Sequence, residues 1–191
     1  MKVIGFTGNY GTGENALQCY LMADSSILYS GRPFFLPDFA QQFVAKPTII
    51  VRMGRLGKCI APKFAHRYWD AFTAGFSVHA LQSDNKSLTA LDRAFDGAAI
   101  VGEWVSVSDV DNAQDAVVEV MMDGDVLSKC RLADMKSSLD DLLAAVSTRC
   151  SIKMGDMIFT GDTADGTVLK PGNRLTASIG GRQVLDVKVR L

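Results

Sequence analysis

Three groups of residues in this chain have types and spacings that could do chemistry. Gly11-Thr12-Gly13-Glu14-Asn15-Ala16 follows a short apolar run and reads G-x-G-x-x-A, a loop whose backbone N–H groups could meet a pyrophosphate. Dinucleotide binding of that kind needs a second parallel strand ending in an acidic residue about twenty positions on. The proline-flanked FFLPDF around Asp38 does not read as one, so these glycines read as a loop. The acidic set Glu14, Asp38, Asp70, Asp96, Glu103, Asp156 and Asp162 offers the oxygen ligands a hard divalent cation wants. Most surface carboxylates, however, are solvated and bind nothing. His66 and Asp70 stand four apart and could pair across one helical turn, while His79 sits among apolar neighbours as a partly buried imidazole. Spacing alone gives none of these a mechanism.

The composition narrows the field. In 191 residues, 48% apolar and 21% charged, 20 basic side chains face 21 acidic ones, for a formal net charge of −1. That balance gives no electrostatic warrant for nucleic acid, and there is no apolar run of about 18 residues to span a membrane. The opening MKVIGFTGNY lacks the basic and apolar regions of a secretory signal, so the expectation is a cytoplasmic protein. Cys19, Cys59, Cys130 and Cys150 form no C-x-x-C pair, which argues against zinc and redox motifs and for reduced thiols. A chain of this length can bury about 70% of its unfolded surface without staples, and a single domain over residues 1–191 is expected.

The elements that would position such residues follow from periodicity. Lys2 to Thr7 reads as a strand, Glu14 to Met22 as a helical stretch, and SSILYSGRPFFLPDF as a short strand, a turn and an extended piece. Thr48 to Met53 is continuous and β-branched, the pattern of a central strand. Phe64, Ala65, Tyr68, Trp69 and Phe72 fall on one face of a helix that ends before Gly75. Val117–Met122 and Val126–Leu132 flank Asp123-Gly124, the strongest hairpin signal in the chain. Ser138 begins a helix striped by Leu139, Leu142, Leu143 and Val146. From Ile152 onward come short strands parted by glycine and proline turns. The sum is a strand-dominated α+β chain.

The closing text SIKMGDMIFTGDTADGTVLKPGNRLTASIGG resembles the end of the fumarylacetoacetate hydrolase (FAH) superfamily, typically written LKPGDLIFTGTPAGVG followed by LKPGD. RLGKCIAPKFAHRYWDAFTAGF and DRAFDGAAIVGEW are similar to the family's shorter bacterial members, and GNYGTGENAL is placed where those carry N-Y-x-x-H-x-x-E. The resemblance implies a mixed β-roll or sandwich with a few short helices, a homodimer, and metal-dependent hydrolysis, isomerisation or decarboxylation of small oxo acids. In such enzymes Mg²⁺ or Mn²⁺, held by an E-x-E and a later aspartate, clamps the substrate's oxygens, and a His-Glu dyad activates water.

Counting back from RLGK without a gap, the resemblance puts the E-x-E on Lys46-Pro47-Thr48, the later aspartate on Ser77, and the Arg-Asp that follows it on Leu81-Gln82. The dyad positions fall on Gly13 and Ala16, beside a retained Asn9-Tyr10. The lysine before the family's F-D aspartate becomes Arg93. A protonated lysine has no lone pair and repels a cation. No metal cofactor is therefore expected, and Lys46 becomes a cation able to attract a small carboxylate or oxo acid. The expected binding set is Tyr10, Gly13, Lys46, Thr48, Ser77, Arg93 and Thr160, with Glu14, His79 and Asp162 as the groups left for catalysis. The leading expectation is a non-catalytic or altered-chemistry member. The alternatives are an active hydrolase or isomerase with a rearranged site and a non-catalytic subunit partnering an active paralogue.

Overall fold

The computed structural model describes residues 1–12, 16–82 and 90–191. In chain order its elements are β1 (Lys2–Thr7), β2 (Gln18–Ala23), β3 (Ile27–Tyr29), β4 (Phe34–Phe35), β5 (Gln42–Met53), α1 (Pro62–Ala65), β6 (Trp69–Leu81), β7 (Ala99–Val101) and β8 (Val105–Ser106). They continue with β9 (Val118–Met122), β10 (Asp125–Cys130), α2 (Leu139–Arg149), β11 (Met157–Asp162), β12 (Thr167–Val168), β13 (Arg174–Ile179) and β14 (Arg182–Arg190). A nine-stranded sheet runs β2-β1-β11-β5-β6-β7-β3, with β12 added to β5 and β8 to β6. A second sheet of five strands runs β10-β9-β13-β14-β4. The strand-dominated expectation holds.

The spine is the antiparallel pair β5 and β6, registered from Gln42↔Leu81 to Met53↔Trp69. Strand β6 is buried along nearly its whole length, which explains why its apolar residues run on without clean alternation. The helix expected over residues 64–72 is thereby cut to one turn, Pro62–Ala65. Trp69 and Phe72 carry large side chains that suit a strand, and pairing with β5 overrides the helical spacing. The helix expected from Glu14 is replaced over Gln18–Ala23 by β2, antiparallel to β1 from Lys2↔Ala23 to Thr7↔Gln18. No helix therefore follows the glycine loop over residues 18–23, and the pyrophosphate reading loses the helix N-terminus it requires.

Other expectations stand. Asp123 and Gly124 take positive φ values of 54° and 94°, joining β9 to β10. Ser138 caps α2, its Oγ accepting from Asp141 N–H at 3.2 Å. That helix buries Leu139, Leu142, Leu143 and Val146, each worth about 2 kcal/mol of apolar burial. One core lies between the two sheets and beneath α2, and includes Phe72, Phe76, Ile49, Leu175 and Val187. A smaller one gathers Val3, Met22, Ile50, Ala99, Val101, Met157 and Phe159. Among the described residues, no helix is long and apolar enough to cross a membrane.

Candidate anion site on the large sheet

Residues opposite one another in an antiparallel pair point to the same face. Lys46 pairs with Ser77, Val44 with His79 and Thr48 with Gly75. On the other side of β5, Phe159 pairs with Ile50 and Asp162 with Thr48. Three residues of β11 thus span two of β5, a bulge where Gly161 adopts φ 139°. The bulge resets the alternation and brings Asp162 onto the face that carries Lys46, Thr48 and Ser77. A Cβ on Gly161 would stand 2.9 Å from the Asn9 Cβ, so the bulge needs glycine there.

Strand β2 contributes a residue the sequence reading passed over. Tyr20 pairs with Gly5, and its ring occupies the space a Cβ on Gly5 would take. Its hydroxyl donates to Ser77 Oγ at 3.0 Å. Ser77 Oγ lies 3.1 Å from His79 Nε2. With the tyrosine proton directed at Ser77, the serine proton is left for the imidazole, whose Nε2 then accepts. The signal for Tyr20 is its alternation with Met22 on the inward side of β2, which a helical reading of the segment hides.

Charge stands beside this neutral chain. Lys46 Nζ pairs with Asp162 Oδ2 at 2.9 Å, with side chains 30% and 11% exposed. Among the described residues, nothing donates to the buried Asp162 Oδ1. Burial pushes the Asp162 carboxyl up, against the opposing pull of Lys46 and Arg93. The Arg93 guanidinium lies 5.3 Å from the centre of the Tyr20 ring. His79 is 7% exposed, and burial, followed by the charges of Arg93 and Lys46, lowers its pKa to about 3. Burial likewise pushes the Tyr20 phenol up to about 12. At neutral pH both rings are uncharged, and His79 is a weak proton acceptor.

The expected site residues therefore divide. Lys46, Thr48, Ser77, His79, Arg93 and Asp162 share one neighbourhood. Thr48 directs its hydroxyl to the Ile49 carbonyl at 3.2 Å. Tyr10 and Thr160 form a separate pair: Thr160 Oγ1 donates to the Ile49 carbonyl at 2.9 Å and accepts from the Tyr10 hydroxyl at 2.9 Å. Tyr10 feels Cys130 and Asp134 rather than Lys46. Gly13 and Glu14 lie outside the described residues. The His66–Asp70 helical pair does not form, because Asp70 lies within strand β6 and its Oδ1 accepts from Arg52 Nε at 2.9 Å. Among the described residues, no three His, Cys, Asp or Glu side chains gather as a metal-ligand group.

Comparison with known proteins identifies the family. The model of the fumarylacetoacetate (FAA) hydrolase C-terminal family matches residues 9–190, and the chain belongs to that family. Oxaloacetate tautomerase fahd-1, mitochondrial, of Caenorhabditis elegans is 24% identical over 154 residues, covering 78% of this chain and 72% of that protein. The fold is shared with 5-carboxymethyl-2-hydroxymuconate delta-isomerase of Mycobacterium smegmatis, at TM-score 0.86 and 21% identity, over 99% of this chain and 78% of that one. It is shared too with fumarylpyruvate hydrolase of Pseudomonas aeruginosa in complex with Mn²⁺ and pyruvate, at TM-score 0.88 and 18% identity, over 100% and 90% of the two chains.

Proposed function

We propose that this chain is a member of its family that binds a small carboxylate without a divalent metal and does not carry out metal-dependent chemistry. The observation that carries this reading is the Lys46–Asp162 ion pair. Lys46 stands where the resemblance puts a metal-binding glutamate, and Asp162 stands where FTGTP has threonine and this chain reads FTGDT. The two departures are complementary in charge. A divalent ion there would meet an ammonium group and a carboxylate already engaged by it, so the described residues do not fit Mg²⁺ or Mn²⁺. Lys46 and Arg93 set two cations against Asp162, leaving a local surplus that suits one anion. The pyruvate complex of the Pseudomonas protein supports a small carboxylate as the ligand class.

Calorimetry tests both halves. Titration with Mg²⁺ and Mn²⁺ is expected to give no saturable heat at micromolar concentrations, and saturation there would overturn the metal-free reading. Oxalate is expected to bind the wild-type chain and to lose at least about tenfold in affinity in Lys46→Met, since a charged hydrogen bond is worth about 1.5–3 kcal/mol.

A second reading, catalysis by a rearranged site, is favoured by Asp162 Oδ1, a proton acceptor to which nothing donates among the described residues. Turnover of acylpyruvates or oxaloacetate that survives chelation and is lost in Asp162→Asn would establish it. The homodimer belongs to this proposal as well, and light scattering is expected to give twice the 20.6 kDa of one chain.

A further inference from the structure

The outer face of the five-stranded sheet carries one side chain that does not match its neighbours. On β13 and β14 the outward positions include Arg174, Thr176, Asp186, Lys188 and Arg190, all polar, as a solvated sheet face should be. On the edge strand β4, Phe34 opposite Val189 turns into the core at 2% exposure, whereas Phe35 opposite Arg190 turns outward at 58%. The Phe35 ring borders two cavities. One, of about 340 Å³, is lined by Arg32, Pro33, Phe35, Lys188 and Arg190, with Asp186 in its wall. The other, of about 490 Å³, reaches the Pro171-Gly172 turn and shares Phe35, Lys188 and Arg190.

The charge around this ring is one-sided. Residues 167–191 hold five basic side chains and one acidic, Asp186. That carboxylate is already engaged: Arg174 Nε donates to Oδ1 at 2.8 Å and Arg174 Nη2 to Oδ2 at 2.6 Å, which holds the carboxyl below the usual carboxylate range. Arg32, Lys188 and Arg190 form no ion pair among the described residues. Three cations therefore gather on one cavity in a chain whose charges nearly balance, a self-repulsion that a bound anion relieves. Guanidinium groups take phosphate oxygens through paired N–H donors, and an open phenyl face takes a flat ring. From this we infer that the cavity binds a nucleoside diphosphate, its base against Phe35 and its two phosphates among Arg32, Lys188 and Arg190. The volume falls in the range of small-molecule sites, about 300–1,000 Å³. One exposed ring beside one cluster of cations matches a single nucleotide, and the site lies on the other sheet from Lys46, so it stands independently of the carboxylate site proposed above.

The test is calorimetric titration of the full chain, in magnesium-free buffer at pH 7, with ADP, adenosine and inorganic pyrophosphate. ADP is expected to saturate in the sub-millimolar range, and adenosine and pyrophosphate to bind at least about tenfold more weakly, because each keeps one half of the contacts. Phe35→Ser is expected to lower ADP affinity to that of pyrophosphate. Lys188→Gln combined with Arg190→Gln is expected to weaken ADP and pyrophosphate together by at least about tenfold, with the thermal midpoint unchanged at these exposed positions. ADP binding no more tightly than pyrophosphate would overturn the nucleotide assignment. Absence of saturable ADP binding, or binding indifferent to both variants, would overturn the site. Should Phe35→Ser fail to fold, Phe35→Leu keeps the apolar bulk without the aromatic face and is expected to weaken ADP several-fold while leaving pyrophosphate unchanged.

Discussion

At the scale of single residues, His79 gives a signature that can be read without any ligand. Its pKa falls from 6.5 in the unfolded chain to about 3 in the fold, so between those values the unfolded chain takes up a proton that the native state refuses. Stability is therefore intact above about pH 6.5 and falls by up to about 1.4 kcal/mol for each unit below it. Asp162, with its raised carboxyl, acts in the opposite sense and lower, in the carboxylate range. Urea unfolding at pH 7, 6 and 5 is expected to show a falling midpoint that His79→Gln flattens. The residues of this site were unevenly legible. Lys46 and Ser77 could be placed by counting along the chain, and the cross-strand register does put them opposite each other. Tyr20 escaped because its role depends on reaching from β2 to Ser77 on β6, a distance in sequence of 57 residues that no local pattern encodes.

At the scale of elements, local chemistry predicted well wherever a turn or cap decides the outcome. The Asp123-Gly124 hairpin and the Ser138 cap both follow from backbone groups that must be satisfied within a few residues. Ser138→Ala is expected to cost about 1 kcal/mol, visible as a lower thermal midpoint. Local chemistry fails over residues 64–72, where helical spacing is present but β6, claimed by its long partner strand β5, begins at Trp69. The bulge in β11 was equally hidden, since Gly161 reads as a turn residue until its register against β5 is known. Gly166 lies close by, and a Cβ there would meet Val44 Cγ1 at 2.2 Å and Lys46 Cγ at 3.1 Å. Gly166→Ala is expected to displace the lysine stem and weaken oxalate binding several-fold, by calorimetry, in a chain that still folds.

At the scale of the molecule, each of the two sheets joins segments that are far apart in sequence. Strand β1 lies parallel to β11, with Val3 opposite Met157, and β4 lies parallel to β14, with Phe34 opposite Val189. The first of these joints is fastened by Asp156, 1% exposed, whose carboxylate accepts from Lys2 N–H at 3.0 Å, from Lys153 N–H at 2.7 Å and from the Lys2 ammonium. Asp156→Ala is expected to destabilise the chain by about 3 kcal/mol, measured by urea unfolding, because it strands donors around a buried position. The resemblance reached this architecture where periodicity did not, since pairing partners leave no trace in local spacing. The β1–β11 joint also sets a timetable for synthesis. At about 5–20 residues per second, the ribosome needs on the order of ten to thirty seconds to deliver β11 after β1. Throughout that interval the β1–β2 hairpin has an open inner edge, and a newborn chain must be kept from pairing with its neighbours until its own distant strand arrives.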